Sequence, residues 1–356
     1  MREFVKYYIF TFITLLILCY PQNAMDYATS GMTLCADVLV PSLFPFFVCS
    51  GLLIYSGFCE SLSKIFGKVM MPLFNINGSG AAAFILGIIS GYPLGAQTAI
   101  KLYENKSISQ TECERLLAFC NNSGPLFILG SVGVAIYHSP RLGMMLYFSH
   151  ILAAVTVGVL FRFYKSNNEI SQQRVYEKET KSMGEIFSVA LSGSIKSILT
   201  VCGAVVFFSV VANLVADLLP NGIIRTVFIA LSELTSGIKG ISQMPLATGT
   251  KLILSSAAAG FAGFCVHLQV MSVAAGKKVS LVPYIAGKVM HAILAAIYTA
   301  ILLRFFPVTA TVFARGDSLS GAFFAASVFT VLCAFILSIV AGITLIVVNR
   351  KRKNPL

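Results

Sequence analysis

Ser90-Gly91-Tyr92-Pro93-Leu94-Gly95 cuts an apolar run that begins at Ala81 and would otherwise read as a membrane helix. The run before the cut is only about ten residues, half of the roughly 20 needed to span a bilayer. Pro93 has no N–H to give a helix, and Gly91 and Gly95 free the backbone on either side of it. Two half-length helices meeting at such a cut read as a re-entrant hairpin near residues 79–104. Broken backbone at membrane depth survives only where protein or a polar cavity satisfies its N–H and C=O groups. The tip is therefore a candidate site: N–H groups and a positive helix end suit an anion, free carbonyls a cation.

Working outward, the next apolar stretch is broken too. Asn121-Asn122-Ser123-Gly124-Pro125 interrupts a helix expected near 111–135. Two amides in apolar surroundings are costly unless hydrogen-bonded, so they bind substrate, bind an ion, or cap the break. Beyond lie an uninterrupted span at 141–163 and a polar loop at 166–182. The order then repeats. A second hairpin is expected near 223–243, around Ser232-Glu233-Leu234-Thr235-Ser236-Gly237, and a second interrupted helix near 252–275 carries His267 and Gln269. Spans are expected at 195–219, 281–305 and 322–348, and before the first hairpin at 1–20 and 38–57. The stretch 60–72 is amphipathic and suits the membrane interface.

Residue identities support a repeat. Leu152-Ala153-Ala154 returns as Leu294-Ala295-Ala296 and Arg162-Phe163 as Arg304-Phe305, both 142 positions on. Phe119-Cys120 returns as Phe264-Cys265 and Ser90-Gly91 as Ser236-Gly237 at slightly larger offsets, which sets Asn122 opposite His267. Each repeat contributes three spans and one hairpin. Three is odd, so the second repeat is inverted, an arrangement in which broken helices meet near the bilayer midplane.

Composition fixes the solvent. Of 356 residues, 57% are apolar and 11% charged, where soluble chains carry roughly 25% charged residues. A soluble enzyme, a disordered chain and a nucleic-acid binder are excluded. The expected fold is an all-α polytopic membrane protein with about eight spans plus the two hairpins. Residues 1–24 form a membrane anchor, 25–165 the first repeat, 166–182 a linker, 183–306 the inverted second repeat, and 307–356 a last helix with a basic tail. The net charge of +12 comes from Lys and Arg clustered at Lys64, Lys68, Lys101, Lys106, Lys165, Arg174, Lys178, Lys181, Lys277, Lys278 and the tail Arg350–Lys353. The positive-inside rule puts these, and both termini, in the cytoplasm. Nine cysteines without a C-x-x-C pair suggest no disulfide framework and no structural zinc.

No H-E-x-x-H, G-x-S-x-G or Walker loop occurs, and His138, His150, His267 and His291 are scattered. Neither an enzyme nor a cofactor is expected; a coupling ion, Na+ or H+, is left open. The candidate substrate-binding residues are Ser90, Gly91, Tyr92 and Gly95 at the first tip and Phe119, Asn121, Asn122 and Ser123 at the first broken helix. In the second half they are Glu233, Thr235, Ser236, Lys239, His267, Gln269 and Lys288. Lys288 either snorkels to the interface or, facing inward, is a counter-charge for an anion.

Ile89-Ser90-Gly91-Tyr92-Pro93-Leu94-Gly95-Ala96 and Leu116-Leu117-Ala118-Phe119-Cys120-Asn121-Asn122-Ser123-Gly124-Pro125-Leu126-Phe127-Ile128 resemble the YlbJ/SpoVV family of sporulation integral membrane proteins. The likeness runs from about residue 30 to 345. That family belongs to the nucleoside-recognition, or gate-domain, group, which is similar to concentrative nucleoside transporters. The resemblance implies an endospore-forming bacterium, the outer forespore membrane, and movement of dipicolinate, a small aromatic dicarboxylate, from the mother cell by alternating access. On that reading Tyr92 or Phe119 stacks on the ring and Asn121, Asn122 and Ser123 supply amide and hydroxyl contacts, with His267, Ser236 and Lys239 opposite. Nucleoside transporters carry Gln and Glu at their first hairpin tip, and Ser90–Gly95 has neither. An ion-coupled nucleoside transporter and a non-transporting scaffold for spore assembly are the alternatives. The partners expected are the bilayer and the anion, with no nucleic acid; homo-oligomerisation is left open.

Overall fold

Caps and breakers set the order of helices. The computed structural model describes residues 2–56, 58–165 and 182–307, and among these the chain is helical without a strand. It begins with α1 (Arg2–Cys19), α2 (Pro21–Leu34), a π-helical stretch Cys35–Leu39, α3 (Val40–Tyr55) and α4 (Phe58–Phe74). Then come α5 (Ala81–Ser90), α6 (Leu94–Glu104), α7 (Gln110–Cys120), a π-helical stretch Leu126–Ile136 and α8 (Pro140–Phe161). The second half holds α9 (Met183–Asp217), α10 (Ile223–Ser232), α11 (Leu234–Gln243), α12 (Thr248–Phe261), α13 (Gly263–Ala274) and α14 (Val282–Phe305). Ser109 with Glu112 and Ser182 with Glu185 form capping boxes that start α7 and α9. Ser139 caps α8, with Pro140 in its first turn where a missing N–H costs nothing.

Four segments are long and apolar enough to cross a membrane: α8, α9, α12 with α13, and α14. The count reaches six if two bent pairs are single spans: Tyr7–Cys19 with Pro21–Leu39, bent by 101°, and Phe66–Phe74 with Gly78–Ser90, bent by 102°. This is fewer than the eight expected. The expected span at 322–348 and the linker residues 166–181 lie outside the described residues. The expected 38–57 span holds a short apolar core, Leu43–Leu53, and the 111–135 segment is divided at its break.

The orientation of α14 shows which solvent the surface meets. Its outward positions Ile285, Val289, Ile293, Ile297 and Ile301 are exposed, while Lys288, His291, Ala295 and Thr299 are buried. Apolar residues outside and polar ones inside, at helical spacing, match a helix bathed in lipid and lining a polar interior.

Two hairpins occupy matching places in the chain. α5 and α6 fold back on each other at Gly91, whose φ of 81° suits glycine, and at a cis Tyr92–Pro93 bond. α10 and α11 fold back at Glu233. Each hairpin is followed by an interrupted helix and then a long one: α7, the Leu126–Ile136 stretch and α8 in one half, α12, α13 and α14 in the other. The second interruption is sharper than expected, with left-handed Ala262 and Gly263 both at φ 74°. α8 and α14 pack together, their His150 and His291 rings 4.3 Å apart and Thr156 Oγ1 2.9 Å from the Tyr298 hydroxyl.

At one end of this bundle a buried carboxylate joins the halves. Glu114 accepts hydrogen bonds from Gln110 Nε2 (2.9 Å), Lys165 Nζ (2.8 Å), the Tyr164 hydroxyl (3.2 Å) and the Ser280 backbone N–H (3.0 Å). The Glu114 carboxylate, with help from Tyr164, holds the exposed Lys165 ammonium above the usual lysine range. Lys277 and Glu104 pair nearby, at the foot of α6. At the other end Arg225, at the foot of α10, pairs with Asp217 at 2.5 Å.

Candidate functional site

Lys288 is the centre of the arrangement. It is 1% exposed, one residue after Gly287, where a Cβ would collide with the Ala118 backbone. That missing Cβ lets α14 lie against α7 and aims the lysine at the end of α7, where Nζ donates to the Asn121 carbonyl at 3.0 Å. Among the described residues no carboxylate forms an ion pair with it. It does not snorkel; it faces inward.

The break after Cys120 supplies the rest. Asn121 leaves the helix at φ −94° and ψ 88°. Asn122 Nδ2 donates to the Phe119 carbonyl at 2.9 Å, which caps the last turn, and the Ser123 N–H donates to His150 Nε2 at 3.0 Å. His291 Nε2 lies 3.0 Å from the His150 carbonyl oxygen. His267 Nδ1 and the Tyr284 hydroxyl share a 2.9 Å bond. Around Lys288 the remaining polar atoms have no hydrogen-bond partner: both amide atoms of Asn121, Asn122 Oδ1, Ser123 Oγ, His150 Nδ1, His267 Nε2 and His291 Nδ1, with Gln269 Oε1 beyond. The Asn121 amide stands beside the Tyr284 hydroxyl, and Ser123 Oγ beside that of Tyr92, neither in bonding geometry. Each such orphan costs roughly 1–3 kcal/mol unless something binds it, so the cluster of them near the buried Lys288 amine is a candidate site for a polar guest.

The hairpin tips meet beside this cluster. Ser90, Gly91 and Tyr92 face Glu233, Thr235 and Gln269 across a cleft of about 40 Å³ that Gly124 and Cys265 also line. It has room for water and none for an aromatic dicarboxylate. Ser90 Oγ is already paired with Ser50 Oγ at 2.6 Å. Glu233 caps α11, its two oxygens accepting from the N–H groups of Thr235 (2.9 Å) and Ser236 (2.7 Å).

Three expected residues lie elsewhere. Phe119 is stacked on Phe74 at 4.6 Å and tilted on Phe84 at 5.1 Å, inside the apolar core, so it cannot stack on a ligand at the tips. Gly95 serves packing: a Cβ there, or at Gly87, would fall on the Cys120 carbonyl. Lys239 is exposed on α11 and turned away from the cleft. The sequence reading also missed His150, His291 and Tyr284. The signal that could have found the two histidines is the repeat, because each stands just before a Leu-Ala-Ala copy. The equivalence of Asn122 and His267 does not hold at the breaks, because Asn122 lies within its break and His267 four residues inside α13. Among the described residues no group of three or more His, Cys, Asp or Glu side chains could hold a metal ion.

Residues 36–166 match a family model described as Gate, nucleoside recognition, a range that takes in the first hairpin, the first break and α8. The chain is 28% identical to the sporulation integral membrane protein YlbJ of Bacillus subtilis (strain 168), over 83% of this chain and 81% of that protein. No solved structure matches. The chain is thus similar to a sporulation integral membrane protein over most of its length, and its residues 36–166 are similar to the Gate, nucleoside-recognition, model.

Proposed function

We propose that this protein carries a small organic anion, dipicolinate, from the mother cell across the outer forespore membrane by alternating access. The observation that carries the reading is the buried Lys288 side chain, unpaired with any carboxylate among the described residues and close to orphaned amide, hydroxyl and imidazole atoms, where a bound anion would favour its ammonium form. An ammonium in low dielectric attracts a carboxylate strongly, and the Asn121 and Asn122 amides and Ser123 hydroxyl give its oxygens further donors. The two halves act as inverted repeats in a frame of about eight spans. The first hairpin is tied at its foot to the Lys277 loop and the second to the end of α9, which suits tips that enter from opposite faces. The narrow cleft is then an occluded conformation, and hairpin movement admits the substrate. With the Lys-rich loops inside, the Glu114 end faces the cytoplasm.

The Gate match favours a second reading, in which the substrate is a nucleoside. Asn121 and Asn122 could hydrogen-bond a base, but a buried unpaired ammonium has no counterpart on a neutral nucleoside. Uptake of labelled dipicolinate and labelled uridine into proteoliposomes separates the two. Saturable dipicolinate uptake that uridine does not inhibit is expected; the reverse preference overturns the anion reading.

A further inference from the structure

His150 and His291 are 1% and 0% exposed, with rings 4.3 Å apart, and each leaves its Nδ1 without a partner. Their hydrogen bonds fix which atoms carry protons. His150 Nε2 accepts the Ser123 N–H. The neutral ring therefore holds its hydrogen on Nδ1 and has no free lone pair. His291 Nε2 faces the His150 carbonyl, which can only accept. The neutral His291 ring therefore holds its hydrogen on Nε2 and offers a free lone pair at Nδ1. A proton arriving at this pair has one place to go without breaking an existing bond: His291 Nδ1. Adding it to His150 Nε2 would set a donor against the Ser123 N–H and disturb the break itself.

We propose that His291 Nδ1 is a proton-binding site loaded together with the anion, with His150 as its positioning residue, so that transport is coupled to protons. This rests on the anion reading of the Lys288 cluster. The step is simple proton binding: a proton from the aqueous phase joins the Nδ1 lone pair, no bond in the protein breaks, and the proton leaves with the anion. His291 is one turn from Lys288 on the same buried face of α14. The charged group facing the pair is Lys288 on α14; Cys120 on α7 and His267 on α13 stand by Lys288, Tyr284 on α14 bonds His267, and α12 presents the backbone of Gly260 to that of His291. None of these is a carboxylate. Two positive charges on one buried face repel each other unless an anion lies between them, and a dicarboxylate supplies one negative charge for each. Proton and dianion therefore raise each other's affinity by the same factor.

The test uses the purified full chain in detergent. Dipicolinate affinity is measured across a pH series above the range where the ligand's own carboxylates titrate. Affinity in the wild type is expected to rise as pH falls, by up to about tenfold per pH unit for one linked proton. In His291→Gln that slope should vanish. A flat wild-type profile, or the same slope in the variant, overturns the proposal. Nitrogen-15 histidine spectra of the ligand-free protein give a second readout, with the His291 signals assigned by their loss in the variant. His291 should protonate on acidification while His150 keeps its Nδ1–H form. Protonation of His150 first, or of neither ring, overturns the site. If no dipicolinate binds, the anion reading falls, and the spectra still decide for or against the proton site.

Discussion

Hairpin 2 turns at Glu233, whose carboxylate takes the N–H groups of Thr235 and Ser236 and so neutralises the positive end of α11 from within the chain. Hairpin 1 turns at Gly91 and the cis Tyr92–Pro93 bond, and Pro93 gives α6 no side-chain cap. It is held by contact instead: Gly87 and Gly95 close on the Cys120 carbonyl, and Gly91 closes on Gly124, where a Cβ would come within 2.7 Å of the Gly124 nitrogen. One tip satisfies its own polar groups. The other leans on a neighbouring break whose amides are left without partners. Groups without partners therefore concentrate on the first break, with others on α8, α13 and α14, and the second hairpin works as a self-contained wall.

The hardest test of this contrast is Lys288→Met, which keeps the length and removes the charge. Truncating one partner of a desolvated charge pair costs on the order of 2–5 kcal/mol. Dipicolinate uptake should fall at least ~30-fold with normal protein yield. Wild-type uptake would move the anion site away from α14.

Next is Gly95→Ala, whose Cβ meets backbone that cannot give way. Overpacking of this kind costs roughly 1–3 kcal/mol, visible as a lower Tm in detergent. Gly130, with nothing within 4 Å of its Cβ position, is the control, and Gly130→Ala should unfold with the wild type. Equal behaviour of the two variants would mean that contact does not hold hairpin 1.

Glu233→Ala should cost about 1–2 kcal/mol through the lost cap. Hydrogen exchange should quicken in α11 and stay unchanged in α6. A large loss of uptake with unaltered exchange would make Glu233 a ligand group instead of a cap, and the contrast between the tips would collapse.

Lys239→Met should do least. Exposed substitutions away from such features stay within about 0.5 kcal/mol, so uptake is expected within about twofold of the wild type. A severe defect would restore the reading in which this lysine faces the substrate.

The sequence made the hairpins legible because their breakers are local: Gly91 and Pro93 interrupt helix wherever they stand. The Asn121–Pro125 break was visible for the same reason, and so was the cost of burying its amides. What stayed hidden depends on partners distant in the chain. Phe119 beside Asn121 reads equally well as a ligand platform or as core, and only Phe74 and Phe84, brought in by α4 and α5, decide it. The direction of Lys288 depends on Gly287 finding Ala118 across the bundle. Lys239 fell on the outer face because Gly237, two residues earlier, packs against Ala230. The second interruption was expected within 252–275 without a position, since left-handed Ala262 carries no sequence signal of its own.

Glu114 has a consequence for how the chain can be divided. Three of its four hydrogen-bond donors, Gln110, Tyr164 and Lys165, lie within the Gate match, but the fourth is the backbone of Ser280, well beyond residue 166. Tyr284 likewise fills the core built around Leu116, Leu117 and Phe119, and Lys288 reaches back to Asn121. The matched segment is thus a unit of ancestry and not one of folding. Excised alone, it would lose one of the four donors to a buried carboxylate, open a tyrosine-sized hole and lose the lysine that bonds the break. On the proposed reading, a guest at the break is held with a helix borrowed from the other half of the chain.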